Sequence, residues 1–138
     1  DTTQDLKQSP QSPLANAWAE LQAHPARGEP LVVMTTLAGC PYCDLVRNHH
    51  LLPMLNKGQV HAIQLDTRDR TGNLQGFDGS MTTPADQARA WKARFAPTVL
   101  FLGPKGEELA ERLVGVAVPD FYGEYLDERL RQARDRLR

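Results

Sequence analysis

The feature that most constrains this chain is a short apolar run leading into its only two cysteines. Residues Leu31–Thr36 are uncharged and rich in β-branched side chains, which is typical of a strand buried on both faces. Cys40 and Cys43 follow, with Pro41 and Tyr42 between them. Pro41 suits the first turn of a helix, because its missing N–H would have no partner there. The sequence therefore predicts a cysteine pair at a strand-to-helix junction, able to form a disulfide or bind a soft metal.

The totals narrow the classes of protein that need to be considered. A chain of 138 residues with 41% hydrophobic and 24% charged residues is typical of one globular domain with a real core. The formal net charge of -1 does not favour a nucleic-acid partner. No apolar run approaches the roughly 20 residues that cross a bilayer, so we predict a protein that is not membrane-embedded. Two cysteines are too few for a disulfide scaffold and indicate a working pair.

The predicted order of elements is helix, strand, helix, strand, helix, strand, strand, helix. We predict a flexible segment over 1–13 and one domain over 14–138. The predicted helices cover 14–23, 41–52, a stretch from Pro84 and a stretch from Pro119, and the predicted strands cover 31–36, 59–65, 98–102 and 107–114. A βαβ unit followed by a helix and a hairpin predicts a mixed sheet with helices on both faces.

Several finer expectations concern the connections and the aromatic residues. Asp78-Gly79 predicts a small hairpin in the polar stretch 66–82, and Thr83 is the predicted N-cap of the next helix. Pro53 is expected to disrupt the helix that follows the cysteines. Apolar side chains at helical spacing are more often core than binding platforms. The residues predicted to be buried on this ground are Leu45, His49, Leu52, Trp18, Trp91, Phe95, Phe121, Tyr122, Tyr125, Leu126, Leu130, Ala133 and Leu137.

With these residues in place, the chain resembles the thioredoxin superfamily over about 31–133. The resemblance rests on the Cys-x-x-Cys at a strand end, Ala96-Pro97-Thr98 opening the later hairpin, and Gly115 before the last helix. It implies a thioredoxin-like α/β fold with a mixed four-stranded central sheet, helices on both faces and an extra N-terminal helix.

Finer details resemble periplasmic thioredoxin-like proteins of the sulfur-oxidation (SoxW) type. They are Gly39-Cys40-Pro41-Tyr42-Cys43, Leu52-Pro53, the Phe77-Asp78-Gly79 insert, the run from Phe95 to Phe101 and Gly103–Gly106. Two positions depart from ordinary thioredoxin. Gly39 stands where thioredoxin has a tryptophan, and Met34 stands where it has a buried aspartate that is thought to help move a thiol proton.

The resemblance implies thiol–disulfide exchange, and the residues suit it. Cys40 at a helix N-terminus would have free N–H groups and the positive end of the dipole beside its sulfur, which favours the thiolate. We assign Cys40 as the attacking nucleophile and Cys43 as the buried resolving thiol. Pro41 and Tyr42 would tune the balance between the dithiol and the disulfide, because they shape the turn and set the number of N–H donors near Cys40. The resemblance implies a cis peptide bond before Pro97, which would turn the backbone of Ala96 toward a bound substrate strand.

The expected partners and location follow from the same resemblance. We predict that the enzyme acts on disulfide-bearing partner proteins, is a monomer, and is recharged by a membrane thiol carrier. It would need no bound cofactor and no metal beyond its redox-active Cys40–Cys43 disulfide. Because the chain begins at Asp1 without a methionine, we expect a mature periplasmic chain after signal removal.

Two other functions remain open at this stage. Zinc would require four ligands, but Arg47 rather than a histidine follows Cys43 by four residues, and His50 lies roughly 10 Å further along a helix. Copper(I) on two thiolates remains an alternative. Cys-Pro-Tyr-Cys also occurs in glutaredoxins, so glutathione-dependent chemistry is a second one. Asp44 and Arg47 could adjust the pKa values of the thiols or simply lie on the surface.

Overall fold

The computed structural model describes residues 28–138. The segment predicted over 1–13, the helix predicted over 14–23 and Trp18 therefore lie outside the described residues. The elements in chain order are β1 (Leu31–Thr36), α1 (Pro41–Val46), a π-helical turn (Arg47–Leu51), α2 (Leu52–Asn56), β2 (His61–Asp66), β3 (Leu74–Gln75), β4 (Met81–Thr82), α3 (Pro84–Ala90), β5 (Thr98–Leu102), β6 (Glu108–Val114), a 3-10 turn (Pro119–Phe121) and α4 (Tyr122–Arg136).

The four long strands form one mixed sheet in the order β2-β1-β5-β6. β1 is parallel to β2 and antiparallel to β5, and β5 pairs with β6 as an antiparallel hairpin. β1 is central, which explains its uninterrupted apolar sequence. The predicted mixed four-stranded sheet is confirmed, and so is the small hairpin, in which β3 pairs with β4 around Gly79.

Helices cover both faces of the sheet. Alternate residues of β1 point to opposite faces, so each set packs against a different group of elements. Val32 and Met34 pack with residues of the π-helical turn, β6 and α4, whereas Leu31 and Val33 pack with β2, β3 and α3. The two clusters sandwich the sheet, as the βαβ pattern predicted. The cysteine pair follows a short turn after the end of β1.

The helix after the cysteines does not break at Pro53, contrary to the prediction. A π-helical turn precedes it, in which the N–H of Leu52 bonds the carbonyl of Arg47, five residues back. This wider turn accommodates a proline, which lacks an N–H and would crowd a regular α-helix. It also rotates the buried face. His49 is exposed and Leu45 only half-buried, so the predicted stripe is correct only at Leu52.

α3 begins as predicted, with the hydroxyl of Thr83 accepting a hydrogen bond from the N–H of Asp86. The helix is shorter than expected and ends at Ala90. Lys92 then adopts a left-handed conformation at φ 58° and turns the chain away. Trp91 still packs against the sheet, but Phe95 is 68% exposed, so its predicted burial is wrong.

α4 is packed as its apolar period predicts for Tyr122, Leu126, Leu130 and Ala133, all buried. Leu137 is partly buried and packs against the same cluster. Phe121 and Tyr125 are exposed, which contradicts the prediction for both. Phe121 belongs to the 3-10 turn rather than to the α-helix, and Tyr125 lies one position off the buried stripe.

An ion pair joins α4 to the segment before β1, at the end of β1 opposite the cysteines. The guanidinium of Arg134 on α4 donates to both carboxylate oxygens of Glu29 and to the carbonyl of Gln59.

None of the helices within residues 28–138 is long and apolar enough to cross a bilayer.

Candidate active site

Cys40 and Cys43 form a disulfide at the start of α1. Cys40 is the N-cap residue of that helix, and its Sγ accepts a hydrogen bond from the N–H of Cys43 at 3.2 Å. Pro41 and Tyr42 occupy the exposed turn between the two. Cys40 is half-buried and Cys43 is 1% exposed, so a partner can reach only the first sulfur directly. The helix N-terminus supplies N–H groups and a positive dipole beside that sulfur.

A turn from a distant part of the chain lies against this pair. The carbonyl oxygen of Ala96 is 3.7 Å from the Sγ of Cys40, and the peptide bond between Ala96 and Pro97 is cis. Pro97 is buried, and its carbonyl accepts a hydrogen bond from the N–H of Gly115 at 2.8 Å. The structure thus brings together the sequence-predicted residues Cys40, Ala96 and Pro97 at the C-terminal end of β1.

Thr35 holds this turn in place, a role that was not predicted from the sequence. Its hydroxyl accepts from the backbone N–H of Thr98 at 2.8 Å and donates to the carbonyl of Phe95 at 3.2 Å. The hydroxyl of Thr98 donates to the same carbonyl. One buried residue of β1 is therefore bonded to both sides of the Ala96–Pro97 peptide, and fixes the turn relative to the strand that carries the cysteines.

Two aromatic side chains near the pair are exposed, Tyr42 and Phe95. Phe95 precedes Ala96, and its carbonyl is held by two hydroxyls while its ring faces solvent. An exposed aromatic on a fixed backbone is a low-entropy contact surface for a partner. Helical spacing had suggested that Phe95 was core. The left-handed turn at Lys92, which overrides that pattern, has no clear sequence signal, because lysine rarely adopts it.

Arg47 lies one turn beyond Cys43 and is buried, so it is not a surface residue. Its Nη1 donates to the Oε1 of Gln64 at 3.0 Å and to the hydroxyl of Thr36 at 3.4 Å, and its Nη2 is paired with the carboxylate of Asp44. Its Nε is buried without a hydrogen-bond partner among the described residues. Burial of an arginine so close to a reactive pair is costly unless it is paired, which is what these three contacts provide.

Met34 and Arg47 line the same small gap between the π-helical turn and the sheet. Met34 is fully buried. The position at which ordinary thioredoxin has a buried carboxylate is therefore occupied here by the uncharged side chain of Met34, and the guanidinium of Arg47 lies nearby. No carboxylate is therefore present at position 34, and the charged group that lines this gap is the guanidinium of Arg47.

Two titratable side chains meet where the π-helical turn packs against α4. The rings of His50 and Tyr122 are 5.4 Å apart. Burial, followed by the neighbouring charge of His49, lowers the pKa of His50 despite the opposing effect of Asp127. Burial raises the pKa of Tyr122, so its hydroxyl stays protonated. Within residues 28–138 no three histidine, cysteine or acidic side chains cluster as a metal site would require.

A sequence model of the thioredoxin-like domain matches residues 19–130, most of the chain. The chain belongs to the thioredoxin-like domain family. A thioredoxin-like domain with a Cys-x-x-Cys disulfide is a thiol:disulfide oxidoreductase, so the predicted class of enzyme is confirmed. No curated protein matches the sequence.

Solved structures of thioredoxins share this fold. Poplar thioredoxin h is 17% identical, covering 82% of this chain and 88% of its own, with a TM-score of 0.54. Thioredoxin NaTrxh from Nicotiana alata is 20% identical, covering 84% and 87%, with a TM-score of 0.54. The periplasmic thioredoxin SoxS from Paracoccus pantotrophus, in its reduced form, is 20% identical, covering 76% and 99%, with a TM-score of 0.50. The thioredoxin-like fold predicted from the sequence is thereby confirmed.

Proposed function

We propose that this thioredoxin-like domain reduces disulfides of partner proteins in the periplasm, as a relative of the sulfur-oxidation (SoxW) type. The observation that carries the chemistry is the asymmetry of the pair: Cys40 is reachable at a helix N-terminus, and Cys43 is buried behind it. The likeness to SoxS, a periplasmic thioredoxin, supports the location. A membrane thiol carrier would return the oxidised domain to its dithiol form.

The reaction proceeds in two exchange steps. The Cys40 thiolate attacks one sulfur of the partner's disulfide, the S–S bond of the partner breaks, and the other partner sulfur leaves as a thiolate. Cys43 then loses its proton and attacks the Sγ of Cys40. The mixed disulfide breaks, the second partner sulfur leaves, and both partner thiolates take up protons. Two electrons pass to the partner, and the domain is left with its Cys40–Cys43 disulfide.

The residues around the pair would bind the partner as an extended strand. The backbone of Ala96, presented by the turn at Pro97, would hydrogen-bond that strand, and the exposed Pro41 and Tyr42 would pack beside it. Phe95 extends this surface with a further exposed aromatic side chain. The domain acts as a monomer without bound cofactor or metal.

Insulin reduction tests the proposal. Protein reduced with dithiothreitol and freed of it is mixed with insulin, and the new insulin thiols are counted. We expect two thiols per wild-type molecule and none above background for Cys40→Ser, because the attacking sulfur is gone. Equal thiol release by wild type and Cys40→Ser would refute the proposal, and release that requires added glutathione would indicate glutaredoxin chemistry.

Two further measurements separate the remaining alternatives. Elemental analysis of reduced wild type against Cys40→Ser should find no copper; one equivalent lost in the variant would identify a metal-binding dithiol. Equilibration with glutathione gives the reduction potential. A value near that of thioredoxin, about -270 mV, fits a reductant, whereas one near that of DsbA, about -120 mV, fits an oxidant.

A further inference from the structure

The feature that leads beyond the dithiol itself is the buried guanidinium of Arg47. The backbone N–H of Arg47 bonds the carbonyl of Cys43, so the two residues stand one α-helical turn apart on the same side of the helix. Side chains at this spacing have Cβ atoms roughly 5–6 Å apart. Both are almost completely shielded from water. The Arg47 side chain therefore leaves the helix on the side of Cys43, and a charge in a shielded site acts on nearby groups much more strongly than one at the surface.

The two side chains of the Arg47–Asp44 ion pair differ greatly in their exposure to solvent. Its side chain is 8% exposed, whereas that of its partner Asp44 is 62% exposed. Water and salt screen the carboxylate, while the guanidinium is held inside by Gln64 and Thr36. The guanidinium therefore acts on the interior, where Cys43 lies, and the more exposed carboxylate opposes it only in part, because solvent screens it.

Other charges near Cys43 are few in the described part of the chain. β1 and β5 share a hydrophobic cluster with Val46 of this helix and contain no charged residue. β2 contributes His61 at its exposed start and Asp66 at its half-buried end, opposite Thr36 in register. Asp66 opposes the effect of Arg47, but its carboxylate already accepts a hydrogen bond from the N–H of Arg68. His49 is exposed, and His50 lies against Tyr122.

We propose that Arg47 is a positioning residue that stabilises the thiolate of Cys43 and so speeds release of the partner from the mixed disulfide. The inference rests on the proposed function, because it concerns the second of its two exchange steps. When Cys43 loses its proton to water, the negative sulfur forms beside a fixed cation. The thiolate then attacks the Sγ of Cys40, and the departing partner sulfur takes up a proton. No buried carboxylate is required.

A chromogenic mixed disulfide isolates that step. Reduced protein is treated in acid with substoichiometric dithiobis(nitrobenzoate), which places one thionitrobenzoate on Cys40 while Cys43 stays protonated. The pH is then raised in a stopped-flow instrument, and attack by Cys43 releases coloured thionitrobenzoate. The pH midpoint of the release rate reports the ionisation of Cys43 without any natural partner. Wild type, Arg47→Met, Arg47→Lys and Arg129→Met are compared.

We expect Arg47→Met to raise the midpoint by about one pH unit, the lower end of what one neighbouring charge produces. Below the midpoint the thiolate fraction falls about tenfold, and the greater nucleophilicity of a more basic thiolate restores about threefold, so release slows about threefold. Arg47→Lys should keep most of the wild-type midpoint. Arg129→Met removes an arginine that is 16% exposed and paired with Glu111 and Glu128, and should leave the midpoint unchanged.

An unchanged midpoint in folded Arg47→Met would overturn the inference, as would equal shifts in Arg47→Met and Arg47→Lys, since shape rather than charge would then be responsible. If Arg47→Met does not fold, Asp44→Asn decides, because removing the counter-charge should lower the midpoint; no change would overturn the inference. A failure of this kind leaves insulin reduction by wild type intact. A wild-type mixed disulfide that never releases thionitrobenzoate would instead refute the proposed function, and Arg47's role with it.

Discussion

The two cysteines of the pair lie in contrasting surroundings, although only two residues separate them. Cys40 is contacted by backbone groups, the N–H of Cys43 and the carbonyl of Ala96, and is half-exposed. Cys43 is buried and lies one turn from a charged side chain, Arg47, that is anchored in the sheet. The first environment is built from main chain and the second from side chains. In the mechanism proposed above, reactivity toward partners thus depends on main-chain groups around Cys40, and completion of the reaction depends on the side chain of Arg47.

The largest effect that would sharpen this contrast is expected from Cys43→Ala. Without the resolving thiol, the first step should proceed and the second should stop, so that a partner stays covalently attached to Cys40. Non-reducing electrophoresis after incubation with a periplasmic extract should show adducts that disappear with dithiothreitol. Cys40→Ala is the control and should give none. Adducts with Cys40→Ala but not with Cys43→Ala would reverse the assigned roles.

A smaller effect is expected at the hydroxyl that fixes the turn beside Cys40. Thr35→Val keeps the shape of the side chain but leaves the buried N–H of Thr98 without its partner. We expect the free energy of unfolding to fall by about 1–3 kcal/mol. Urea unfolding measures this, with Thr67→Val as control, since its half-buried hydroxyl makes only one long bond, to the carbonyl of Thr36.

The same variant discriminates between the two sulfurs. Thr35→Val should slow insulin reduction, because the backbone of Ala96 is no longer fixed beside Cys40. It should leave the pH midpoint of release by Cys43 unchanged. A shifted midpoint would show that the two environments are coupled rather than separate.

Phe95→Ala should affect partner binding with little change in stability. The ring is 68% exposed, so its removal should change the free energy of unfolding by no more than about 0.5 kcal/mol. We expect KM for insulin to rise several-fold, while reaction with dithiobis(nitrobenzoate) stays the same. Met81→Ala is a matched control, since Met81 is 64% exposed and lies on the β3–β4 hairpin. An equal rise in KM for both variants would argue against a specific contact at Phe95.

The smallest effect is expected from His50, whose lowered pKa reflects burial. A histidine with a lower pKa in the folded state binds fewer protons than in the unfolded state as the pH falls below about 6.5. Stability from this site is therefore complete above that pH and declines below it. Urea midpoints at neutral and mildly acidic pH should differ more for wild type than for His50→Gln. Identical pH dependence would exclude His50 as a contributor.

The parts of the fold that follow from short-range pattern were predictable. The strand Leu31–Thr36, the cysteine junction, the Thr83 cap and the Asp78-Gly79 hairpin each carry a local signal that no tertiary contact overrides. The mixed character of the sheet followed from the βαβ unit and the hairpin.

The errors arise where a tertiary arrangement outweighs local pattern. Pro53 was expected to disrupt a helix, but the π-helical turn accommodates it, and His49 faces out. Phe95 and Tyr125 matched a helical period that the short α3 and the register of α4 do not follow. The roles of Thr35 and Arg47 depend on neighbours many positions away, which one sequence does not reveal.

The link between Arg134 and Glu29 bears on how the domain can be handled or attached. It fixes the chain just before β1, and the dithiol lies just beyond the other end of that strand, roughly 17 Å away at 3.3 Å per residue. The ion pair therefore lies at the pole of the described domain opposite its reactive sulfur. A label attached at Arg134 would therefore sit at that pole, away from the end of β1 at which a partner reaches Cys40.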